Sequence, residues 1–115
     1  MIKVSDTLPV TVNENMRGGS GSISMSHLAD KADMLGKSRL FARITLKPGC
    51  SIGWHVHENE MEIYHILSGM AAYDDNGEPK TASAGDTTLT PPGHGHAVAN
   101  AGDTDLVFIA LIILA

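Results

Sequence analysis

Short apolar runs separated by turn-forming residues constrain the fold of this chain more than any other feature. The runs are enriched in Val, Ile, Leu, Thr and aromatic residues, and no segment sustains the 3.6-residue apolar period of an amphipathic helix. Residues 74–77 predict a hairpin turn, because Asn-Gly readily adopts the positive φ angles that tight turns need. The pattern predicts an all-β domain with strands at residues 9–12, 22–28, 39–46, 52–57, 62–67, 70–73, 87–89, 96–100 and 106–114.

Length, charge and cysteine content exclude several classes of protein. A chain of 115 residues can bury one hydrophobic core but not a second, which predicts a single domain. The formal net charge is -5 and the basic residues are scattered singly, so neither nucleic acid nor a membrane is an expected partner. Residues 106–115 are apolar but span only about half of the roughly 20 residues in a membrane-spanning helix, and they predict a buried strand. The single cysteine, Cys50, and the absence of a signal-peptide pattern predict a cytoplasmic protein.

Strand alternation brings several polar side chains to one face. Residues two apart in a strand point to the same side, so His55 and His57 are expected to face one cavity together with Gly53. The next strand can direct Glu62 and Tyr64 into the same cavity. The opposite, outer faces of the two strands then hold Ile52, Trp54, Val56, Ile63, His65 and Leu67. A further imidazole from another strand would complete a ligand set, and His96, shortly after the Pro-Pro-Gly turn at 91–93, is the candidate.

Two spaced motifs resemble a known family. The first is Gly49, five residues, His55, one, His57, four, Glu62, six, Gly69. The second is Gly85, five residues, Pro91, one, Gly93, two, His96, three, Asn100. Together they resemble the two motifs of the cupin superfamily, with every specified position filled, and the short spacer resembles that of small, single-domain bacterial cupins.

The resemblance implies a fold and a metal site. It implies an antiparallel jelly-roll β-barrel with its core in residues 41–115, on which the strands and glycine-containing loop of residues 1–40 pack. It further implies that one divalent ion per chain is bound by His55, His57, Glu62 and His96. Three imidazoles and a carboxylate without a thiolate suit Fe(II), Mn(II), Ni(II) or Co(II), and Zn(II) also binds such ligands tightly.

The sequence leaves two classes of function open. The first is an enzyme that acts on a small oxygen-rich metabolite by Lewis-acid or oxygen chemistry, with Tyr64 as acid or base. Tyr64 has an alternative interpretation as a packing residue, because its ordinary pKa of about 10 is too high for a base. The second class is a non-catalytic binding or sensor module. Its support is a cavity expected to be aliphatic, with Ile66 and Val98 as neighbours and polar contributions only from Asn100, Arg39 or Arg43. The sequence favours the enzyme slightly.

The remaining features have structural interpretations. Cys50 is interpreted as a packing residue, His94 as a solvated loop residue, and the acidic run of Glu58 and Glu60 as a solvated bend. The outer apolar patch around Trp54 is large for a monomer, which predicts a homodimer with Trp54 at or near its interface and His65 within it.

Overall fold

The computed structural model describes residues 1–115, and its regular secondary structure is almost entirely β-strand. Its ten strands are β1 (Val10–Glu14), β2 (Ser22–His27), β3 (Ser38–Leu46), β4 (Ser51–Val56), β5 (Glu60–Ser68), β6 (Met70–Asp75), β7 (Glu78–Ser83), β8 (Thr87–Thr90), β9 (Gly95–Asn100) and β10 (Leu106–Leu114). Short 3-10 turns occupy Ser5–Thr7 and Met16–Gly18. No helix is long and apolar enough to cross a membrane, and the cytoplasmic location stays a prediction.

The strands form two antiparallel sheets that pack face to face. The large sheet has the order β1-β2-β3-β10-β5-β8, and the small sheet has the order β4-β9-β6-β7. Alternating apolar residues of both sheets fill the space between them, including Ile44, Leu46, Ile66, Val98 and Phe108. This architecture confirms the predicted jelly-roll fold. The strand pairs fall within the two sheets and do not close a barrel.

Strand β7 is the element that the sequence prediction missed. The predicted turn is present, with Asn76 at φ 51°, Gly77 at φ 98° and the Gly77 amide donating to Asp74 Oδ1 at 2.7 Å. The second arm of this hairpin, β7, lies at a sheet edge, and only Ala82 in it is buried. A largely exposed edge strand with a proline has no apolar alternation to reveal it.

A bulge in β4 corrects the predicted facing of that strand. The pairing of β4 with β9 shifts register between Ile52 and His55. The extra residue puts Ile52 inside with His55, so the prediction that Ile52 lies on the outer face is wrong. Gly53 does not face the cavity either; it packs beneath the Met16–Gly18 turn, where a Cβ atom would lie 2.1 Å from the Arg17 carbonyl oxygen. Trp54 is on the outer face as expected, half-exposed above Gly95.

The predicted dimer patch does not form one surface. Trp54 and Val56 lie on the outside of the small sheet, whereas His65 and Leu67 lie on the outside of the large sheet. The outer faces of two stacked sheets point in opposite directions. Trp54 and His65 therefore do not share one sheet face, and the homodimer itself stays a prediction.

Candidate metal centre

Three imidazoles and one carboxylate converge between the sheets. β4 and the residue after it supply His55 and His57, β5 supplies Glu62, and β9 supplies His96; their donor atoms all lie within 4.8 Å of one another. Glu62 Oε1 is 2.9 Å from His96 Nε2 and 3.0 Å from His57 Nε2. His96 Nε2 is 3.1 Å from the Nε2 atoms of both other histidines. The cluster predicted from the sequence is thus assembled, and it could hold a metal ion.

The donor atoms lie close enough together to share one cation. Four of their distances fall at 2.9–3.1 Å, and the distance from His55 Nε2 to Glu62 Oε1 is 3.9 Å. No pair in the cluster is farther apart than 4.8 Å. Three imidazole nitrogens and one carboxylate oxygen are donors that suit a first-row divalent ion.

Burial and hydrogen bonding shift the pKa values of three of the four groups. Burial disfavours ionisation of Glu62, but hydrogen bonds from the three histidines outweigh it and hold the pKa of that carboxyl well below its usual range. Hydrogen bonding to Glu62, assisted by Glu60, raises the pKa of His57 above 6.5. Burial lowers the pKa of His96, which favours the neutral imidazole that a metal requires.

A charged chain supports His57. Its Nδ1 donates to Glu60 Oε2 at 2.6 Å, and Arg39 donates through Nε and Nη2 to both oxygens of Glu60 at 2.7 Å each. The prediction of a solvated bend is therefore wrong for Glu60, which begins β5 and is buried. Arg39 reaches this position because the pairing of β10 with β3 skips it in a bulge. Hydrogen bonds from Arg39, and then from His57, lower the pKa of Glu60 to about 2 against the opposing effect of burial.

Neutral groups support the other two histidines. His96 Nδ1 lies 2.6 Å from Tyr73 Oη and 3.0 Å from Thr90 Oγ1, and these two oxygens lie 3.0 Å apart. His55 Nδ1 donates to the Gly53 carbonyl oxygen at 2.8 Å. Such partners fix the tautomer and the ring orientation of a ligating histidine. Sequence reasoning missed Tyr73 and Thr90; the alternation of Tyr73 with Ala71 in β6 is the signal that could have placed Tyr73 on the inner face.

Tyr64 lies inside the cavity. It is 2% exposed and stacks on the His96 ring, with centroids 4.9 Å apart and an angle of 27° between the planes. Burial, reinforced by the Glu62 carboxylate, raises its pKa well above 10. The phenol is therefore protonated at neutral pH. It can donate a proton or a hydrogen bond, and its environment opposes the alternative role of a base.

A cavity of about 50 Å³ adjoins the donor cluster. Since one water molecule needs about 10–15 Å³ of such volume, the cavity has room for a handful of non-hydrogen atoms. Arg17 and Arg39 line it, and its other walls are Met16, Met25, Leu40, Ile44, Ile52, Tyr64 and Ile112 with three of the four candidate ligands. Arg43 does not line it, nor do Ile66, Val98 and Asn100.

Larger clefts occur elsewhere on the surface. One of about 380 Å³ lies over the small sheet, and one of about 450 Å³ lies between β7 and β8. Neither contains the histidine–glutamate cluster. The smaller cavity is the candidate site because chemistry, rather than volume, identifies it.

Comparisons with known proteins agree with this geometry. The family model described as a cupin domain matches residues 42–112. An oxalate-binding protein from Thermotoga maritima is 46% identical over 114 residues, which cover 99% of this chain and 93% of that protein. An oxalate decarboxylase from Bacillus subtilis is 32% identical over 91 residues, which cover 74% of this chain but 24% of that protein.

A solved structure is also similar to this chain over its whole length. The crystal structure of a predicted oxalate decarboxylase from Thermotoga maritima has a TM-score of 0.96 with this chain at 46% identity, and the match covers 100% of both chains. The family match covers more than half of the chain, and both predicted motifs lie in or beside it. The chain therefore belongs to the cupin family.

Proposed function

We propose that this cupin binds one divalent metal ion and, through it, a small dicarboxylate of the oxalate class. The observation that carries the proposal is the cluster of four donor atoms, all within 4.8 Å of one another, beside a cavity of about 50 Å³. A six-coordinate ion held by these four donors would have two positions left for a ligand that chelates through two oxygens. The oxalate-binding relative, which matches over nearly its whole length, supports this choice of ligand.

The residues of the site have different roles in binding. His55, His57, Glu62 and His96 would hold the ion, and a bound divalent cation would supply Lewis-acid polarisation of carboxylate oxygens, or redox chemistry if it is redox-active. Glu60, Tyr73, Thr90 and the Gly53 carbonyl orient the three imidazoles. The aliphatic walls limit water around the ligand and strengthen its electrostatic contacts.

Cleavage of the bound dicarboxylate is a second candidate function, and Tyr64 favours it. When the carbon–carbon bond of oxalate breaks to release carbon dioxide, the remaining carbon must gain a proton to give formate. Tyr64 is a protonated phenol, buried in the cavity two residues from Glu62. The decarboxylase relative supports this candidate less strongly, because the chain spans about a quarter of that protein's length.

Calorimetry with the metal-loaded protein tests the binding function. We expect one metal ion per chain by elemental analysis, and oxalate binding only after the protein is loaded with Mn(II). The double variant His57→Ala/His96→Ala should lose both, whereas His65→Ala, a histidine on the outer face of the large sheet, should keep both. Metal retained one-to-one by the double variant places the site elsewhere. Formate release assayed in the wild type and Tyr64→Phe separates an enzyme from a binding protein.

We also propose that the protein is a homodimer through the outer face of the large sheet. Strand pairing aligns Phe41, Leu111, Ile63 and Leu89 in one apolar row across four strands, and Leu89 is 56% exposed. Such a row suits a second copy of the same face. Light scattering should give twice the 12.1 kDa chain mass, Leu89→Lys should reduce it, and Trp54→Glu on the other sheet should not. A monomer at micromolar concentration contradicts the dimer.

A further inference from the structure

We infer that Arg17 is the anion-recognising and specificity-determining residue of the cavity, an inference that rests on the proposed function. Only two cationic side chains line the cavity, Arg17 and Arg39. Arg39 is committed to Glu60 through two hydrogen bonds of 2.7 Å. Arg17 has no ion pair and no side-chain hydrogen bond in the structure. Its planar guanidinium remains free to donate two parallel hydrogen bonds to a carboxylate.

The charges around the cavity specify a dianion. The positive charge of Arg39 and the negative charge of Glu60 cancel each other. Glu62, the carboxylate that lines the cavity, offsets one of the two positive charges of a bound divalent ion. The metal and Glu62 together leave a charge of +1, and Arg17 raises it to +2. A dicarboxylate neutralises that charge, whereas a monocarboxylate leaves one positive charge without a partner.

The backbone fixes Arg17 in place. Arg17 lies in the Met16–Gly18 turn at φ 56° and ψ 30°, and Asn15 before it is at φ 49° and ψ 44°. Left-handed conformations are costly for residues with a side chain and persist where the surroundings impose them. Here the turn lies directly against β4: a Cβ atom at Gly19 would be 2.2 Å from the Ser51 carbonyl oxygen. Because β4 also carries His55, the packing of the turn on β4 holds the arginine close to one of the candidate ligands.

Arg17 is an exposed residue, yet its position lets it act in a small site. Strand β4 leaves its outer edge unpaired, and the turn covers that edge at the side of the cavity. Met16 packs against the core and lines the cavity beside Arg17. The turn therefore carries an apolar anchor and a charged recognition group next to each other.

Titration of Mn(II)-loaded protein with oxalate, a dianion, and acetate, a monoanion, tests the inference. Arg17→Gln should weaken oxalate binding at least about tenfold, by the worth of a charge-assisted bidentate contact, while acetate binding changes by less than about threefold. Its manganese content should stay at the wild-type level. The matched control is Arg43→Gln, an exposed arginine that does not line the cavity, which should change neither titration.

Each result decides the question. Unchanged oxalate binding in Arg17→Gln overturns the inference and leaves the proposed function intact. An equal loss for oxalate and acetate, or a loss in Arg43→Gln, also overturns it, because either outcome reports bulk charge or a structural defect. No oxalate binding by the Mn(II)-loaded wild type overturns the proposed function and the inference together. As a second arm, Gly19→Ala should displace the turn and weaken oxalate binding while Arg17 remains present.

Discussion

The two sides of the metal cluster are built from different chemistry. On the side of His57, the supporting chain is ionic and runs through Glu60 to Arg39, whose side chain is 44% exposed. On the side of His96, the supporting groups are the neutral hydroxyls of Tyr73 and Thr90, which are almost completely buried. His57 and His96 lie at nearly equal distances from Glu62 Oε1, 3.0 and 2.9 Å, yet their pKa values are shifted in opposite directions.

The difference shows where a protein can use charge to orient a ligand. An ionic chain is tolerable beside His57 because the far end of Arg39 reaches water, which reduces the cost of desolvation. The same chain behind His96 would bury an unsolvated charge between the sheets, and hydroxyl groups avoid that cost. We therefore expect the ionic side to dominate the affinity for metal and the neutral side to provide a smaller, duplicated contribution.

Removing the group that both sides share should have the largest effect. Glu62→Gln keeps the size of the side chain but deletes the only anionic donor, which lies within 3.0 Å of both His57 and His96. We expect metal affinity to fall by more than about 100-fold, beyond the range for supporting residues. Competition with a fluorescent chelator measures the change. Retained wild-type affinity would contradict the assignment of Glu62 as a ligand.

Breaking the ionic side should have the next largest effect. Glu60→Gln leaves His57 Nδ1 with a neutral acceptor and leaves Arg39 without its partner. Metal affinity is expected to fall about 10- to 100-fold, the usual range for such supporting residues. The control is Glu58→Gln, an exposed neighbour in the same segment, for which the chelator competition should give the wild-type value. Equal losses in the two variants would show a general charge effect instead.

The ionic chain of His57, Glu60 and Arg39 should also make the stability of the fold depend on pH in the acid range. The pKa of Glu60 in the folded protein is about 2, below the ordinary 4.5, so its ionised form stabilises the fold above pH 4.5 and that contribution is lost as the pH falls toward 2. Because solvent around Arg39 screens this ion pair, we expect ionised Glu60 to contribute about 1–2 kcal/mol to the free energy of unfolding. Urea unfolding of the metal-free protein between pH 2 and 6 measures it. In Glu60→Gln this part of the acid dependence should disappear, and an unchanged slope would contradict it.

The sequence predicted which four side chains cluster because two regularities agreed. Strand alternation directed His55, His57 and Glu62 into one cavity with His96 as the candidate from another strand, and the motif resemblance pointed to the same four residues. The sequence did not reveal the residues that hydrogen-bond to the three histidines, and the reasons are physical. Glu60 looks like any surface glutamate in an acidic run, and it becomes buried only because a bulge brings Arg39 to the same place. Tyr73 could be placed inside by parity, but not matched to His96.

Bulges account for the main errors in predicting which side of the sheet a side chain faces. Alternation assumes a continuous ladder, and the register shift in β4 breaks that assumption between Ile52 and His55. The prediction of one dimer patch failed for another reason: β4 and β5 are consecutive in the chain but belong to different sheets. Local sequence reveals the parity of a strand. It does not reveal which sheet the strand joins, because that depends on pairing partners far along the chain.

Weakening the neutral side should have the smallest effect, because its support is duplicated. Tyr73→Phe removes one hydroxyl from His96 Nδ1 but leaves Thr90 Oγ1 at 3.0 Å. We expect metal affinity to fall only about threefold, and Thr90→Val to behave similarly, since either remaining oxygen can accept the Nδ1 proton. The double variant leaves a buried donor without a partner and should lose about as much affinity as Glu60→Gln. Chelator competition on the four proteins forms a double-mutant cycle, and its coupling term measures the duplication. A loss in Tyr73→Phe alone as large as that in Glu60→Gln would show that the hydroxyl pair is not redundant and that the two sides of the cluster contribute equally.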